Sequence, residues 1–285
     1  MFNFLFPKKK LFTYVIFSFL LKLNKEYEGL NVKFGINQYS DISDSKFSES
    51  ITNIEKKSNR YGSEKRKFKK PIGSLPSFID WRTRKNTVGE VRNQGLNGCG
   101  WAYAAAGVVQ SAYSFKTFDL IQPSEDEICN ISSTKSLESG LEWMKTFGVP
   151  LENSKEKISI CEITEISIDS ATDLQRAVVQ NGPVTVTFKV GTALRHYKSG
   201  VFNISDCENI GTFVSSSLAN FQRMETLQIG WHASVLIGYG KEYGLEHWIV
   251  KNSWGKTFGD RGYFKFARGV NLCYFEANSA FSVQV

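Results

Sequence analysis

The sequence predicts an α+β protein with two lobes, a mainly helical lobe followed by a β-rich one. From Leu75 onward, helical patterns come first and strand patterns come second. Hydrophobic residues make up 41% of the 285 residues and charged residues 22%, so the chain can bury a substantial core. No internal repeat or low-complexity tract is found.

Three segments have the periodicity and the end signals of helices. The Ala-rich run Trp101–Tyr113 predicts a buried helix. Residues 136–148 place apolar side chains at helical spacing and end on a glycine. Residues 172–182 open with Thr172 and Gln175, the spacing of a capping box, and also stop at a glycine.

The strand signals come later in the chain. Four segments are rich in β-branched and aromatic residues and are bounded by turn residues: 184–190, 232–240, 247–254 and 262–267. They predict the sheet of the second lobe.

The N-terminal part divides into three. Lys8, Lys9 and Lys10 precede an apolar stretch, which is typical of a secretory signal peptide over residues 1–24. No small-residue cleavage site follows, so the alternative is an amphipathic propeptide helix at the start of a truncated chain. Residues 52–74 are predicted to be a basic linker. Their few apolar side chains cannot offset the entropy lost on ordering, so the segment should be accessible to proteases.

The positive charge is concentrated outside the folded body. The net charge is +7, but residues 52–74 carry eight basic and two acidic side chains, which gives +6. Residues 75–285 carry 20 basic and 21 acidic side chains, which gives −1. We therefore expect no nucleic-acid partner. No apolar run reaches the ~18 residues of a membrane span, so none is expected.

The five cysteines are Cys99, Cys129, Cys161, Cys207 and Cys273. None has the C-x-x-C spacing of a structural zinc site, so neither a metal nor another cofactor is expected. An odd number leaves one free thiol in an oxidising compartment. Asn-x-Ser sequons at Asn130 and Asn203 weakly favour a secreted protein.

Three separated segments carry the residue types of thiolate chemistry. Residues 93–104 contain Cys99 at the start of the Ala-rich helix, and His232 and Asn252 lie far along the chain. A helix dipole and an imidazolium lower a thiol pKa, and an Asn carbonyl orients the imidazole. Gln94 could donate its amide to an oxyanion.

At these residues the chain resembles the papain family, specifically the cathepsin L-like cysteine proteases. The family's nucleophile segment is matched at Gln94, Gly95, Gly98, Trp101, Ala102 and Tyr103. His232 and Asn252 stand in the family's histidine and Asn-Ser-Trp-Gly segments. Residues 75–285 have the length of the mature domain, and Gly35, Asn37, Tyr39 and Asp41 match the inhibitory propeptide motif, which we place in residues 25–51.

The resemblance implies a papain-like fold with a substrate cleft between the lobes, and endopeptidase hydrolysis through a thioester. His232 would transfer the proton, and Asn252 would orient the imidazole of His232. Gln94 and the backbone N–H of residue 100 would bind the oxyanion. The substrate-binding positions implied are Thr134, Lys135, Ala233 and Trp254. The implied partners are a peptide or protein substrate, the chain's own propeptide and cystatin-type inhibitors, in a monomer of lysosomal or extracellular location.

The resemblance also implies the bridges Cys129–Cys161 and Cys207–Cys273, with Cys99 free. Residues 35–47 should pack on the body, with the Tyr39 ring buried and Asp41 bonded to local polar groups.

Departures from the family pattern bear directly on activity. Gly100 occupies the nucleophile position, and Cys99 comes one residue early, a rotation of about 100° on a helix. Thr134 and Lys135 replace paired glycines and should obstruct the cleft. Between Cys207 and His232 the chain is longer than the family pattern.

Two classes of function stay open. One is a peptidase, impaired or using the displaced Cys99. The other is a non-catalytic relative that binds peptides, propeptides or inhibitors.

Overall fold

The computed structural model describes residues 8–51, 74–131, 136–207 and 230–285. Thr134, Lys135 and most of the basic linker lie outside these residues, as does most of the long connection between Cys207 and His232. Within them the α+β prediction is confirmed. Ahead of the linker the chain forms α1 (Lys8–Glu26), β1 (Val32–Phe34) and α2 (Asp44–Ile51).

The helical lobe is built around one long helix. After β2 (Ile79–Asp80) and a 3₁₀ turn at Trp81–Thr83, this lobe contains α3 (Gly100–Thr117), α4 (Glu125–Ile131), α5 (Leu137–Phe147), β3 (Val149–Pro150) and β4 (Lys157–Ile158). The Ala-rich stretch of α3 is almost completely buried because its small side chains let neighbouring elements approach closely. Its first residue, Gly100, faces the other lobe.

The β-rich lobe comprises β5 (Glu162–Ile166), α6 (Ala171–Asn181), β6 (Val184–Lys189), α7 (Thr192–Arg195), β7 (Tyr197–Phe202), β8 (Trp231–Glu242), β9 (Leu245–Lys251), β10 (Tyr263–Ala267) and β11 (Ala280–Gln284). Among the described residues, nine strands form one sheet in the order β1-β7-β10-β9-β8-β6-β11-β5, with β2 paired to β8. Most strand pairs are antiparallel, including β8 with β9. The start of β8 therefore lies next to the residues that directly follow β9.

The predicted helices and strands are found with small shifts. The 247–254 strand prediction is too long, because β9 ends at Lys251 and the chain turns at Asn252. The predicted capping box is also wrong. Helix α6 is capped by Ser170, whose Oγ accepts the N–H of Asp173 at 3.2 Å, because the helix begins before Thr172.

The disulfide pattern differs from the expected one. The bridge Cys207–Cys273 is confirmed, with Cα atoms 5.6 Å apart. The predicted bridge Cys129–Cys161 is wrong, and so is the free Cys99: the structure joins Cys99 to Cys129, with Cα atoms 5.7 Å apart. Cys99 caps α3 within bridging distance of α4, whereas the family pattern has no cysteine at its position to compete for Cys129. Cys161 is the free, exposed thiol.

Alkylation of the unreduced protein should therefore modify Cys161 alone. An exposed thiol reacts freely, whereas disulfide sulfurs do not react with iodoacetamide. Peptide mapping by mass spectrometry should recover a Cys99–Cys129 cross-linked peptide. Recovery of a Cys129–Cys161 peptide, with the label on Cys99, would overturn the arrangement.

Residues 8–51 pack against the β-rich lobe. Leu20 and Leu23 of α1 and Val32 and Phe34 of β1 join its hydrophobic core. Strand β1 extends the sheet by pairing with β7. None of the helices in the described ranges is long and apolar enough to cross a membrane.

Candidate active site

The N-terminus of α3 points at His232. Gly100 is buried, and a Cβ atom added to it would lie 2.9 Å from both Nδ1 and Cε1 of His232. The same atom would lie 3.0 Å from Oε1 of Gln94. Any side chain at position 100 would therefore be directed at the imidazole.

His232 and Asn252 form a fixed pair. The second residue of β8, His232, is completely buried, and its Nε2 lies 2.9 Å from Oδ1 of Asn252. An amide oxygen can only accept, so Nε2 carries the proton and donates it. In the neutral ring this leaves Nδ1, the atom that faces Gly100, as the basic nitrogen.

Aromatic rings hold this pair away from water. The Trp254 ring lies 4.9 Å from the imidazole centroid, and Phe188 contacts the imidazole edge-on at 5.7 Å. The Asn252 oxygen also accepts the N–H of Ser253 at 2.9 Å. The amide is therefore restrained, and it restrains the imidazole in turn.

Gln94, which belongs to the helical lobe, is hydrogen-bonded to Ser253 in the turn that follows Asn252. Its N–H donates to the Ser253 carbonyl at 2.8 Å, and its Oε1 accepts the Ser253 hydroxyl at 2.6 Å. Within the described ranges its buried Nε2 has no hydrogen-bond partner. Ser253, which the sequence reasoning missed, thus positions Gln94, and its place directly after Asn252 was the available signal.

Cys99 is not part of this group. Its sulfur is bonded to Cys129 of α4, and the residue is buried in the core of the helical lobe. Of the remaining predicted site residues, Trp254 covers the His–Asn pair and Ala233 is fully buried in β8. Thr134 and Lys135 lie outside the described residues.

A second polar cluster, also missed from sequence, lies in a cavity behind Asn252. Arg92 forms ion pairs with Glu125, at 3.5 Å, and with Glu152. Burial raises the pKa of Glu125 and lowers the pKa of Lys251 to about 8. The two ion pairs lie within the helical lobe, and Lys251 of β9 lines the same cavity from the β-rich lobe.

Residues 32–47 cover the outer face of the site. The Tyr39 ring is buried, with its centroid 5.7 Å from that of Trp254, and Phe47 contacts Trp254 at 5.5 Å. Gln38 donates its side-chain amide to the Trp254 carbonyl at 2.7 Å. The expected bonding of Asp41 is not found among the described residues, where Asp41 is exposed; the Ser40 hydroxyl instead accepts the N–H of Asn37 at 3.0 Å.

A buried arginine anchors this segment. Arg195 donates its Nε–H to the Tyr39 carbonyl at 2.9 Å, and its guanidinium also donates to the Ile42 carbonyl. The Arg195 carbonyl accepts the Asn37 amide at 2.6 Å. Next to it, His196 is buried, with Nδ1 3.3 Å from the Ser40 hydroxyl.

Two lobes that bring a helix N-terminus to a buried His–Asn pair have the architecture of a cysteine-protease scaffold. The family model described as "Papain family cysteine protease" matches residues 75–148 and 145–283. The chain belongs to the papain family.

Curated relatives agree with this assignment. Cysteine proteinase 2 of Zea mays is 28% identical over 284 residues, covering 90% of this chain and 74% of the relative. Pro-cathepsin H of Mus musculus is 26% identical over 275 residues, covering 88% of this chain and 77% of the relative.

Solved structures share the fold over nearly the whole chain. The proform of the ragweed pollen cysteine protease Amb a 11 has a TM-score of 0.78 and 21% identity, with 99% of this chain and 90% of that chain covered. Digestive procathepsin L2 of Tenebrio molitor has a TM-score of 0.77 and 20% identity, with 100% and 96% covered. Both are proforms, so the similarity extends to residues 8–51 as well as to the two lobes.

Proposed function

We propose that this chain is a catalytically impaired papain-family homologue that retains the peptide-binding architecture of a cysteine protease. The observation that carries the proposal is Gly100, which presents no side chain where one would face the basic nitrogen of His232. Without a thiol there is no atom to form the acyl-enzyme. Removing the nucleophile of an enzyme of this type lowers kcat by about 10⁶-fold.

The surrounding residues support retained binding. His232, Asn252 and Gln94 keep the geometry of a proton-transfer pair with an oxyanion donor beside it, and Trp254 keeps them packed. We assign to this site peptide segments, propeptides or cystatin-type inhibitors as ligands. In this proposal Thr134 and Lys135 narrow the cleft and limit the ligands it accepts.

A weakly active enzyme that uses Cys99 is the less favoured alternative. Its thiol is held in a disulfide with Cys129, and a disulfide sulfur cannot act as a thiolate. Cys99 would need both reduction and a displacement of its backbone toward His232.

We propose the following division of the chain. Residues 25–51 act as an inhibitory propeptide, residues 52–74 as the cleavable linker, and residues 75–285 as the peptidase-like domain. The burial of Leu20 and Leu23 supports the alternative in which residues 1–24 contribute a propeptide helix rather than a discarded signal peptide. The two disulfides support folding in the secretory pathway, with a lysosomal or extracellular destination.

Activity-based labelling tests the proposal. The protein, from which residues 8–51 have first been removed by limited proteolysis, is incubated with a peptidyl epoxide probe, with and without a dithiol reductant, alongside Cys161→Ala to exclude reaction at the exposed thiol. We expect no labelling of the wild-type protein beyond that at Cys161, and saturable binding of a cystatin measured by calorimetry. Epoxide labelling of Cys99, or peptide hydrolysis abolished by Cys99→Ala, would contradict the proposal.

Truncation of Tyr39 tests the inhibitory segment. Tyr39→Ala removes a buried ring that contacts both Phe47 and Trp254, so the docking of residues 8–51 should weaken by about 3–5 kcal/mol. Limited proteolysis should then remove the segment much faster than in the wild-type protein, while the two lobes remain intact. Equal cleavage rates for the variant and the wild type would show that the segment does not depend on this contact.

A further inference from the structure

A sequon with both of its functional side chains exposed follows β7. Residues 203–205 read Asn-Ile-Ser, the acceptor sequence for N-linked glycosylation. The backbone here is irregular, and exposure alternates along it: Asn203 and Ser205 are exposed, whereas Ile204 is buried. Ile204 therefore anchors the segment while the amide and the hydroxyl of the sequon face solvent.

The same segment carries a marker of the compartment in which this modification takes place. Cys207, two residues beyond the sequon, is bonded to Cys273. Disulfides form and persist in oxidising compartments such as the lumen of the endoplasmic reticulum. The disulfide and the sequon are thus independent indications of passage through that lumen, within a few residues of each other.

The other sequon is in a different setting. Asn130 lies on α4 directly after the disulfide-bonded Cys129, and its Ser132 falls outside the described residues. Asn130 is itself exposed, as Asn203 is. Asn203 belongs to the sequon whose amide-bearing and hydroxyl-bearing residues are both described and both exposed, and we therefore take it as the acceptor.

The fold leaves space for a glycan at Asn203. Strand β7 is paired through Val32↔Gly200, and the Val201 N–H donates to the Asn31 carbonyl at 3.2 Å. Asn203 lies beyond this pairing, where the chain leaves the sheet. Because the Asn203 side chain is exposed, a sugar attached to it displaces no buried group among the described residues.

We propose that Asn203 is an N-glycosylation site. Its Nδ2 forms a C–N bond to the anomeric carbon of a lipid-pyrophosphate-linked oligosaccharide, the C–O bond to the pyrophosphate breaks, and the amide nitrogen loses one proton. The lipid pyrophosphate leaves with the electron pair of the broken bond, so no oxidant or reductant takes part. The inference rests on the secretory location proposed above, but not on the loss of catalysis.

The test is expression of the full chain in a eukaryotic cell, once with its own N-terminus and once behind an added secretory leader. Digestion with peptide:N-glycosidase in heavy-oxygen water should shift the electrophoretic mobility by one glycan and convert Asn203 to a heavy-oxygen-labelled Asp. Asn203→Gln and Ser205→Ala should both abolish the shift. Ser205→Thr, which preserves the sequon, and Asn130→Gln should retain it, and an intact Cys207–Cys273 bridge checks the fold of each variant.

Two results would overturn the proposal. If Asn130→Gln rather than Asn203→Gln removes the glycan, the acceptor has been misassigned. If no variant or wild-type chain carries a glycan, the site is not used. Protease protection of the chain in intact microsomes then distinguishes two cases. A protected chain has entered the lumen and its sequon is unused; an unprotected chain has not entered the lumen, and this result also contradicts the proposed secretory location.

Discussion

Replacing Gly100 with cysteine is expected to place a reactive thiol at the candidate active site, in addition to the exposed thiol of Cys161. A side chain at this position starts at the N-terminus of α3 and points at Nδ1 of His232, so the new thiol lies between a helix dipole and a basic nitrogen. Once residues 8–51 have been removed by limited proteolysis, we expect hydrolysis of a dipeptidyl fluorogenic substrate to rise at least 10³-fold, within the roughly 10⁶-fold that a nucleophile supplies. The gain should be incomplete, because the Cβ atom requires His232 and Gln94 to move by a few tenths of an ångström.

Matched variants separate the thiol from the steric effect. Gly100→Ala introduces the same Cβ contact without a nucleophile. This variant should neither hydrolyse the substrate nor react with the epoxide probe at position 100. Cys99→Ala combined with Cys129→Ala in the Gly100→Cys background should retain the acquired activity. If Gly100→Cys folds but neither labels nor cleaves, position 100 is not the vacated nucleophile position, or the cleft itself no longer admits peptides.

Acidification from pH 7 to pH 5 is expected to loosen residues 8–51 through His196. Burial, followed by the charge of Arg195, lowers the pKa of His196 to about 3, from an ordinary value near 6.5. The buried ring contacts Phe19 edge-on, at a centroid distance of 5.5 Å, and the hydroxyl of Ser40. Docking of residues 8–51 therefore favours the neutral form of the His196 ring.

The sign of this pH dependence follows from the lowered pKa. The contribution of neutral His196 is complete above pH 6.5 and is lost as the pH falls toward 3. At pH 5 the loss is about 2 kcal/mol, or roughly 30-fold in the docking equilibrium. The protection factors of the β1 amides, which are the intrinsic exchange rates at each pH divided by the observed rates, measure this change.

His196→Gln is the control for the titration. Glutamine retains a polar side chain near Ser40 but does not titrate, so the protection factors of the β1 amides should lose most of their dependence on pH between 7 and 5. If the variant and the wild-type protein respond to acid with the same slope, the pH dependence originates in other groups.

The sequence alone predicts the lobes, the family and the residues that meet at the site. Hydrophobic periodicity located α3, α5 and β8, because these elements are long and their buried faces repeat regularly. Motif spacing selected His232 and Asn252, and the antiparallel pairing of β8 and β9 explains why residues 20 apart make contact. Their catalytic roles, like that of Gln94, stay predictions.

Each feature that the sequence analysis missed or predicted wrongly has a physical reason. The partner of Cys129 depends on which thiol approaches α4 in three dimensions, and family topology gave the wrong partner because the family pattern has no cysteine at the position of Cys99. The short strands β5 and β11 escaped prediction because their few residues lack a distinctive period. Arg195 was missed as an anchor because backbone carbonyls, which have no sequence signature, are its partners.

Strand β1 also has a consequence for the behaviour of the protein in solution. It closes one end of the sheet, and its removal would leave the backbone of β7 as an open edge over Tyr197–Phe202. Such edges recruit strands from other molecules and promote aggregation, and only the exposed Lys198 and the positive φ of Gly200, +85°, would oppose this. The N-terminal segment would therefore protect the protein against self-association, independently of any part it has in restraining catalysis.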